Sequence, residues 1–298
     1  MRDRGLISRI GLVLSVVLVA ALTSGAAAGS VAVVVERDVA IPAGDHHIPG
    51  TLTMPSRPAG TTVPAVLMLH GFGSEKDEVG DMYARVAEDL AERGYASLRI
   101  DFAGSGDSTE PWTNNDYVGM VDDSRVALDY LIRLRATNDD RIGLLGFSLG
   151  TKVAMGLAGT DDRVAAFASW SGSTANGEQD FQFFFDTYYE TALAEGSVVV
   201  DLGFTVVELS LEWFDTIAAS TNLDAMAAYS NPLLAIAGTD DTVVDPVSSR
   251  ELIRWSGTLD ATLRILPGAD HIYHVLTDDQ TLAEQVMTIT ADWFADKL

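Results

Sequence analysis

The chain has 298 residues, 47% of them hydrophobic, and sets 43 acidic against 19 basic side chains for a formal net charge of −24. That length and apolar content supply the core of a globular domain and exclude general disorder, and so acidic a balance argues against a nucleic-acid binder, which needs a basic footprint. The absence of cysteine excludes a disulfide framework, a thiolate nucleophile, a thiolate metal ligand and a lipid attached through Cys.

The chain opens with Arg2, Arg4 and Arg9, an apolar run from Ile10 to Leu22, and the small residues Thr23 to Ala28. A basic start, an apolar middle and an A-x-A exit read as a secretory signal over residues 1–28, cleaved near Ala28, so the protein is expected to be exported. The alternative is a retained membrane anchor, the one route by which a membrane becomes a partner. Asp outnumbers Glu 30 to 13, and Lys stands only at 76, 152 and 297, a balance suited to solubility in concentrated salt.

Residues 31–298 read as one domain. Val31 to Ile41 is rich in β-branched residues, and Ala43-Gly44-Asp45 turns it back into Gly50 to Met54, the pattern of a hairpin with His46 and His47 on its surface. Val63 to Leu69 is a continuous apolar run, as in a strand buried on both faces. Asp81 to Arg93 spaces Met82, Val86 and Leu90 as a helix, stopped by Gly94 before a short strand from Ala96 to Ile100. A helix from Tyr117 to Leu134, a strand from Arg141 to Leu145, a helix from Leu149 to Ala158 and a strand from Val164 to Trp170 continue the alternation. It breaks between Ser171 and Ser230, an aromatic-rich stretch read as an inserted cap. It then resumes with a strand at Pro232 to Ala237, a helix at Pro246 to Trp255, a strand at Ala261 to Leu266 and a terminal helix from about Thr281. Strands alternating with helices predict an α/β fold with a mostly parallel sheet, helices on both faces, and ligands at the carboxyl ends of the strands.

Gly146-Phe147-Ser148-Leu149-Gly150 is a G-x-S-x-G placed directly between a predicted strand and a predicted helix, the context in which the motif marks a nucleophile on a sharp, strained turn. A serine hydroxyl needs a base oriented by a third group. Of the five histidines, chain order selects His271, in the turn after the last strand, with His274 as its neighbour and competitor. The acid must lie in Gly238 to Asp245, where Asp241 leads, Asp240 is second, and Asp245 fits better as the start of a helix. Two backbone N–H groups are needed for an oxyanion, and Leu149 and Phe72, the latter within His70-Gly71-Phe72-Gly73, are the candidates. Asp101 to Ser108, dense in Asp, Gly and Ser, lacks a P-loop lysine and reads as a structured turn.

Taken together, Leu69-His70-Gly71-Phe72, Asp101 to Ser108, Gly146 to Gly150, Gly238 to Val244 and Gly268-Ala269-Asp270-His271 resemble the α/β-hydrolase superfamily, in particular its feruloyl or cinnamoyl esterase-like and serine-aminopeptidase-like branch. The resemblance covers about residues 38–170 and 231–297. It implies Asp241 as the acid, an oxyanion hole from the residues after His-Gly and after Ser, and no metal or organic cofactor. The cap carries no motif of that branch.

The expected function is a serine hydrolase acting on a small-molecule ester or acyl substrate. An aminopeptidase-like enzyme is the alternative, since Glu178, Asp180, Asp186 and Glu190 could bind an amine, and a non-catalytic binding protein on the same fold is a remoter one. Phe183 to Phe185 are either a slot for an acyl group or ordinary core.

Overall fold

A computed structural model describes residues 34–298. The expected signal segment lies outside the described residues. In chain order the strands and helices are β1 (Val35–Ala43), β2 (His46–Met54), β3 (Val63–Leu69), α1 (Met82–Glu92), β4 (Ala96–Ile100), α2 (Tyr117–Arg133), β5 (Thr137–Phe147), α3 (Leu149–Ala158) and β6 (Val164–Trp170). They continue with α4 (Gln182–Glu195), β7 (Ser197–Asp201), β8 (Val206–Ser210), α5 (Leu211–Ala218), α6 (Asn222–Met226), β9 (Leu233–Gly238), α7 (Val247–Trp255), β10 (Ala261–Leu266) and α8 (Thr281–Lys297).

The main sheet has the order β1-β2-β4-β3-β5-β6-β9-β10. β1 pairs antiparallel with β2, and β2 antiparallel with β4. From β4 to β10 every neighbour is parallel. Because side chains alternate along a strand, a strand covered on both faces feeds two cores at once. In β3, Ala65, Leu67 and Leu69 enter one apolar cluster with α2 and α3, and Val66 and Met68 enter the other with α1 and α8. α1 joins through Met82, Val86 and Leu90, one helical face whose members are fully buried. This is the α/β-hydrolase architecture.

Three segments differ from the sequence reading. β2 begins at His46 rather than Gly50, so His46 and His47 pair with Ala43 and Pro42 as strand residues. β5 begins at Thr137 rather than Arg141: Asn138 to Arg141 are polar and mostly exposed, so composition marks them as loop although Val63 pairs with Thr137 across a shift in register. In the 171–230 segment, the apolar run from Ser197 folds as a two-stranded hairpin, β7 with β8, outside the main sheet. At the end of the same segment α6 turns back onto α3, where Asn222 Nδ2 donates to Lys152 O and to the Tyr117 hydroxyl.

The glycines separate strain from collision. A Cβ on Gly150 would stand 2.0 Å from Leu69 O and 2.6 Å from His70 O, main-chain atoms that cannot swing aside. Gly44, by contrast, has positive φ, +69°, and open space around it. Gly44→Ala is expected to cost about 1 kcal/mol, the left-handed penalty alone. Gly150→Ala should cost about 3 kcal/mol or more through overpacking. Urea unfolding midpoints of the two variants check the contrast.

Candidate active site

β5 delivers the chain to Ser148 and α3 carries it away. Between them Ser148 takes φ 51°, ψ −119°, a conformation an L-residue holds only when its surroundings impose it. They do: Ser148 N donates to Trp170 O at 2.9 Å, and Ser148 O accepts from Thr151 N at 3.0 Å and Ser173 N at 3.1 Å. The hydroxyl makes no capping bond to the helix it precedes, so it remains available to a substrate at the positive end of α3.

The loop after β9 and the turn after β10 meet in a hydrogen bond of 2.9 Å from His271 Nδ1 to Asp241 Oδ2. The Asp241 carboxylate is fully buried, and its other oxygen accepts from Val243 N and Val244 N, both at 2.9 Å. With an acceptor opposite Nδ1, that nitrogen carries the proton and Nε2 is the free base; the tautomer is assigned from this bonding pattern. The His271 ring lies 5.1 Å from the ring of Phe147, the residue before Ser148.

The competitors lie elsewhere. Asp240 is exposed and accepts from the Thr239 hydroxyl at 2.7 Å. Asp245 accepts from Val247 N at 2.8 Å at the start of α7. His274, its side chain 38% exposed, stands 4.0 Å from Asp270.

Leu149 opens α3 and Phe72 lies in the loop after β3. Neither N–H finds a hydrogen-bond acceptor among the described residues, although Leu149 is buried. The Phe72 loop is pinned around it by Glu78, which no sequence motif marked, and by His70 of the His-Gly motif. Glu78, 4% exposed at φ 64°, accepts from Gly71 N at 2.7 Å and from its neighbour Val79 N at 2.9 Å. His70 accepts from Phe102 N at Nε2, 3.2 Å, so its Nδ1–H donates to Gly71 O at 2.8 Å. Burial pushes the His70 pKa down, in keeping with this neutral, clamped ring.

Asp101 to Ser108 is a structured turn whose first carboxylate, 1% exposed, accepts from Lys76 N at 2.8 Å, Asp107 N at 3.0 Å and the Lys76 ammonium at 3.2 Å. It ties the loop after β4 to the loop after β3. The only signal for Glu78 or Lys76 in the sequence is a charged residue in a loop, which is too common to single either out.

Ser148 and His271 line one cavity of about 1030 Å³. Phe183 and Phe184 also line it, whereas Phe185 packs into the cap on Phe214 at 5.1 Å, so the aromatic run divides between cavity and core. The β7–β8 turn approaches the Phe72 loop: a Cβ on Gly73 would meet Leu202 at 2.9 Å and Thr205 at 3.0 Å.

A family description for the alpha/beta hydrolase fold matches residues 64–202. Over that stretch the chain is similar to this family, and its sheet and helices have the α/β-hydrolase fold. It is 29% identical over 245 residues to the 2,6-dihydropseudooxynicotine hydrolase of Paenarthrobacter nicotinovorans, covering 79% of this chain and 58% of that protein. It is 31% identical over 112 residues to dipeptidyl aminopeptidase BIII of Pseudoxanthomonas mexicana, which is 36% of this chain and 16% of that one. The chain thus spans little more than half of the first of these curated relatives and a small part of the second. Among solved structures, Est1E from Butyrivibrio proteoclasticus with bound ferulic acid superposes with a TM-score of 0.70 at 19% identity, covering 87% of this chain and 98% of that one, a likeness of fold.

Within this fold no three His, Asp or Glu residues gather as metal ligands among the described residues. The arrangement offers a strained hydroxyl, an imidazole oriented by a buried carboxylate, and two unpaired N–H groups. An asparagine at 241 could present its NH2 to Nδ1 and reverse the tautomer. Asp241→Asn is therefore expected to lower kcat by about 10³–10⁴-fold without unfolding the chain. Asp240→Asn and Asp245→Asn should stay within about threefold, as surface changes away from the base. Steady-state rates and circular dichroism of the three variants check this.

Proposed function

We propose that this α/β hydrolase cleaves carboxylic esters through an acyl-enzyme on Ser148. The observation that carries the reading is the buried Asp241 carboxylate bonded to His271 in the same cavity as a serine at positive φ on a helix N-terminus. Ser148 Oγ attacks the ester carbonyl while His271 Nε2 takes its proton. The oxyanion is held by the N–H groups of Phe72 and Leu149, a type of contact worth about 10²–10³ in rate per donor. Collapse breaks the acyl–oxygen bond, and the alcohol leaves with the proton from His271. Water, deprotonated by the same nitrogen, then releases the acid and returns the hydrogen to Ser148.

The aromatic cavity wall supports a planar or extended apolar acyl group, in the manner of a feruloyl ester, with residues 171–230 serving as the cap. A second reading, release of amino-terminal residues from peptides, has one observation in its favour: Asp180 lines the cavity, while Glu178, Asp186 and Glu190 do not. The N-terminal segment supports export, with cleavage near Ala28. No helix among the described residues is long and apolar enough to cross a membrane.

The test is hydrolysis of p-nitrophenyl esters from acetate to laurate, of methyl ferulate and of amino-acid p-nitroanilides by wild type and Ser148→Ala. Ester turnover reduced at least about 10³-fold in the variant is expected. Anilide turnover alone would move the assignment to a peptidase, and silence with every substrate would favour a binding protein.

A further inference from the structure

The cavity that holds Ser148 and His271 is unevenly charged. Four carboxylates line it, Glu75 and Glu78 from the loop after β3, Asp180 from the start of the cap and Asp270 beside His271, and among the described residues no lysine or arginine does. Two of them are engaged. Glu78 holds two main-chain N–H groups, and Asp270 Oδ1 accepts from Ile272 N at 3.2 Å and His274 N at 2.8 Å.

Glu75 and Asp180 are freer. Asp180 uses Oδ2 on Ala175 N at 2.8 Å. The cation beneath it, Lys152, donates to Ala175 O and Gly177 O. Glu75 lies 3.8 Å from the Lys76 ammonium, which is drawn to Asp107 at 2.8 Å and Asp101 at 3.2 Å. Burial, then the charge of Asp77, pushes the Glu75 pKa up, against a main-chain hydrogen bond from Asp77 and the charge of Lys76 that offset part of the rise. Its carboxyl thus sits in a negative field that Lys76 offsets only in part, and a cation entering the cavity would complete the compensation.

Two independent features fit such a guest. Ser105, 3% exposed and also lining the cavity, has a hydroxyl with no hydrogen-bond partner among the described residues. Trp112, Phe183, Phe184 and Phe204 contribute aromatic rings to the lining, and an aromatic face attracts an ammonium group beside apolar carbon.

We propose that the cavity selects its ester by charge: it takes substrates whose non-reacting part carries a protonated or quaternary amine next to apolar carbon, and turns away those carrying a carboxylate. The selection rests on the ester-hydrolase reading and extends it. Steering follows the same sign, since a chain of net charge −24 draws cations and repels anions before contact. It also favours departure of the product, because the acid released from Ser148 is an anion in an acidic cavity.

The experiment uses three p-nitrophenyl esters of matched length, one ending in methyl, one in trimethylammonium and one in carboxylate. For wild type, kcat/KM is expected to rise at least about tenfold from neutral to cationic ester and to fall at least about tenfold to the anionic one, each about 1.4 kcal/mol. Salt at 0.5 M should compress both ratios. In Asp180→Asn and Glu75→Gln the cationic-to-neutral ratio should drop about fivefold or more, a change that partial unfolding, which lowers both rates alike, does not make. Equal rates on all three esters, or ratios unchanged in both variants, would overturn the proposal. Calorimetric binding of benzyltrimethylammonium and of benzoate to Ser148→Ala reads the same preference without chemistry. Absent turnover of every ester would then count against the esterase reading alone, while tighter binding of benzoate would overturn charge selection.

Discussion

The turn at Ser148 is the constraint around which the site is organised. A non-glycine residue at φ 51° persists only if its neighbours hold it, and here the support comes from three directions: Trp170 at the end of β6, Thr151 in α3 and Ser173 at the exit toward the cap. Gly150 lets α3 press against the end of β3, at an approach no side chain could share with Leu69 O. The parallel sheet, the helix and the loop after β3 are therefore mutually dependent. The same closeness that strains Ser148 brings the Phe72 loop beside it, with Gly71 against the Phe147 ring.

The second dependency runs through buried polar groups. Asp241 has both oxygens satisfied, one by two main-chain N–H groups and one by His271, so its position is set by the backbone rather than by its own rotamer freedom. Glu78 does for the Phe72 loop what Asp241 does for the base, and Asp101 with Lys76 joins that loop to the next one. Such groups hold the loops of the site rigid, and on the proposed mechanism that rigidity is what would let two fixed N–H dipoles stabilise a developing oxyanion.

What was legible in the sequence follows from how local each signal is. The run from Val63 to Leu69, the helical spacing of Met82, Val86 and Leu90, and the placed Gly146 to Gly150 motif are local patterns, and the structure reproduces each. Asp241 could be preferred over Asp240 and Asp245 because the turn after a strand limits which carboxylate points back toward the sheet. The lead-in of β5 was hidden because only Thr137 pairs across it, with Val63, before a register shift to Ile142, and composition records neither. Glu78 was hidden because its partners, Gly71 and Val79, are main-chain groups, and the β7–β8 hairpin because an apolar run from Ser197 fits core, cap or strand equally. The cavity's charge needed the fold: Glu75 and Asp180 are far apart in sequence and line one cavity only in the folded chain.

The central claim is that Ser148 is an activated nucleophile. Its most direct test is labelling with a fluorophosphonate probe, which reacts with an activated serine and ignores a merely exposed one, followed by mapping of the modified peptide. The account predicts labelling on Ser148 that disappears in Ser148→Ala and falls sharply in His271→Ala. Labelling that survives Ser148→Ala, or a folded wild type that takes no label, would contradict it.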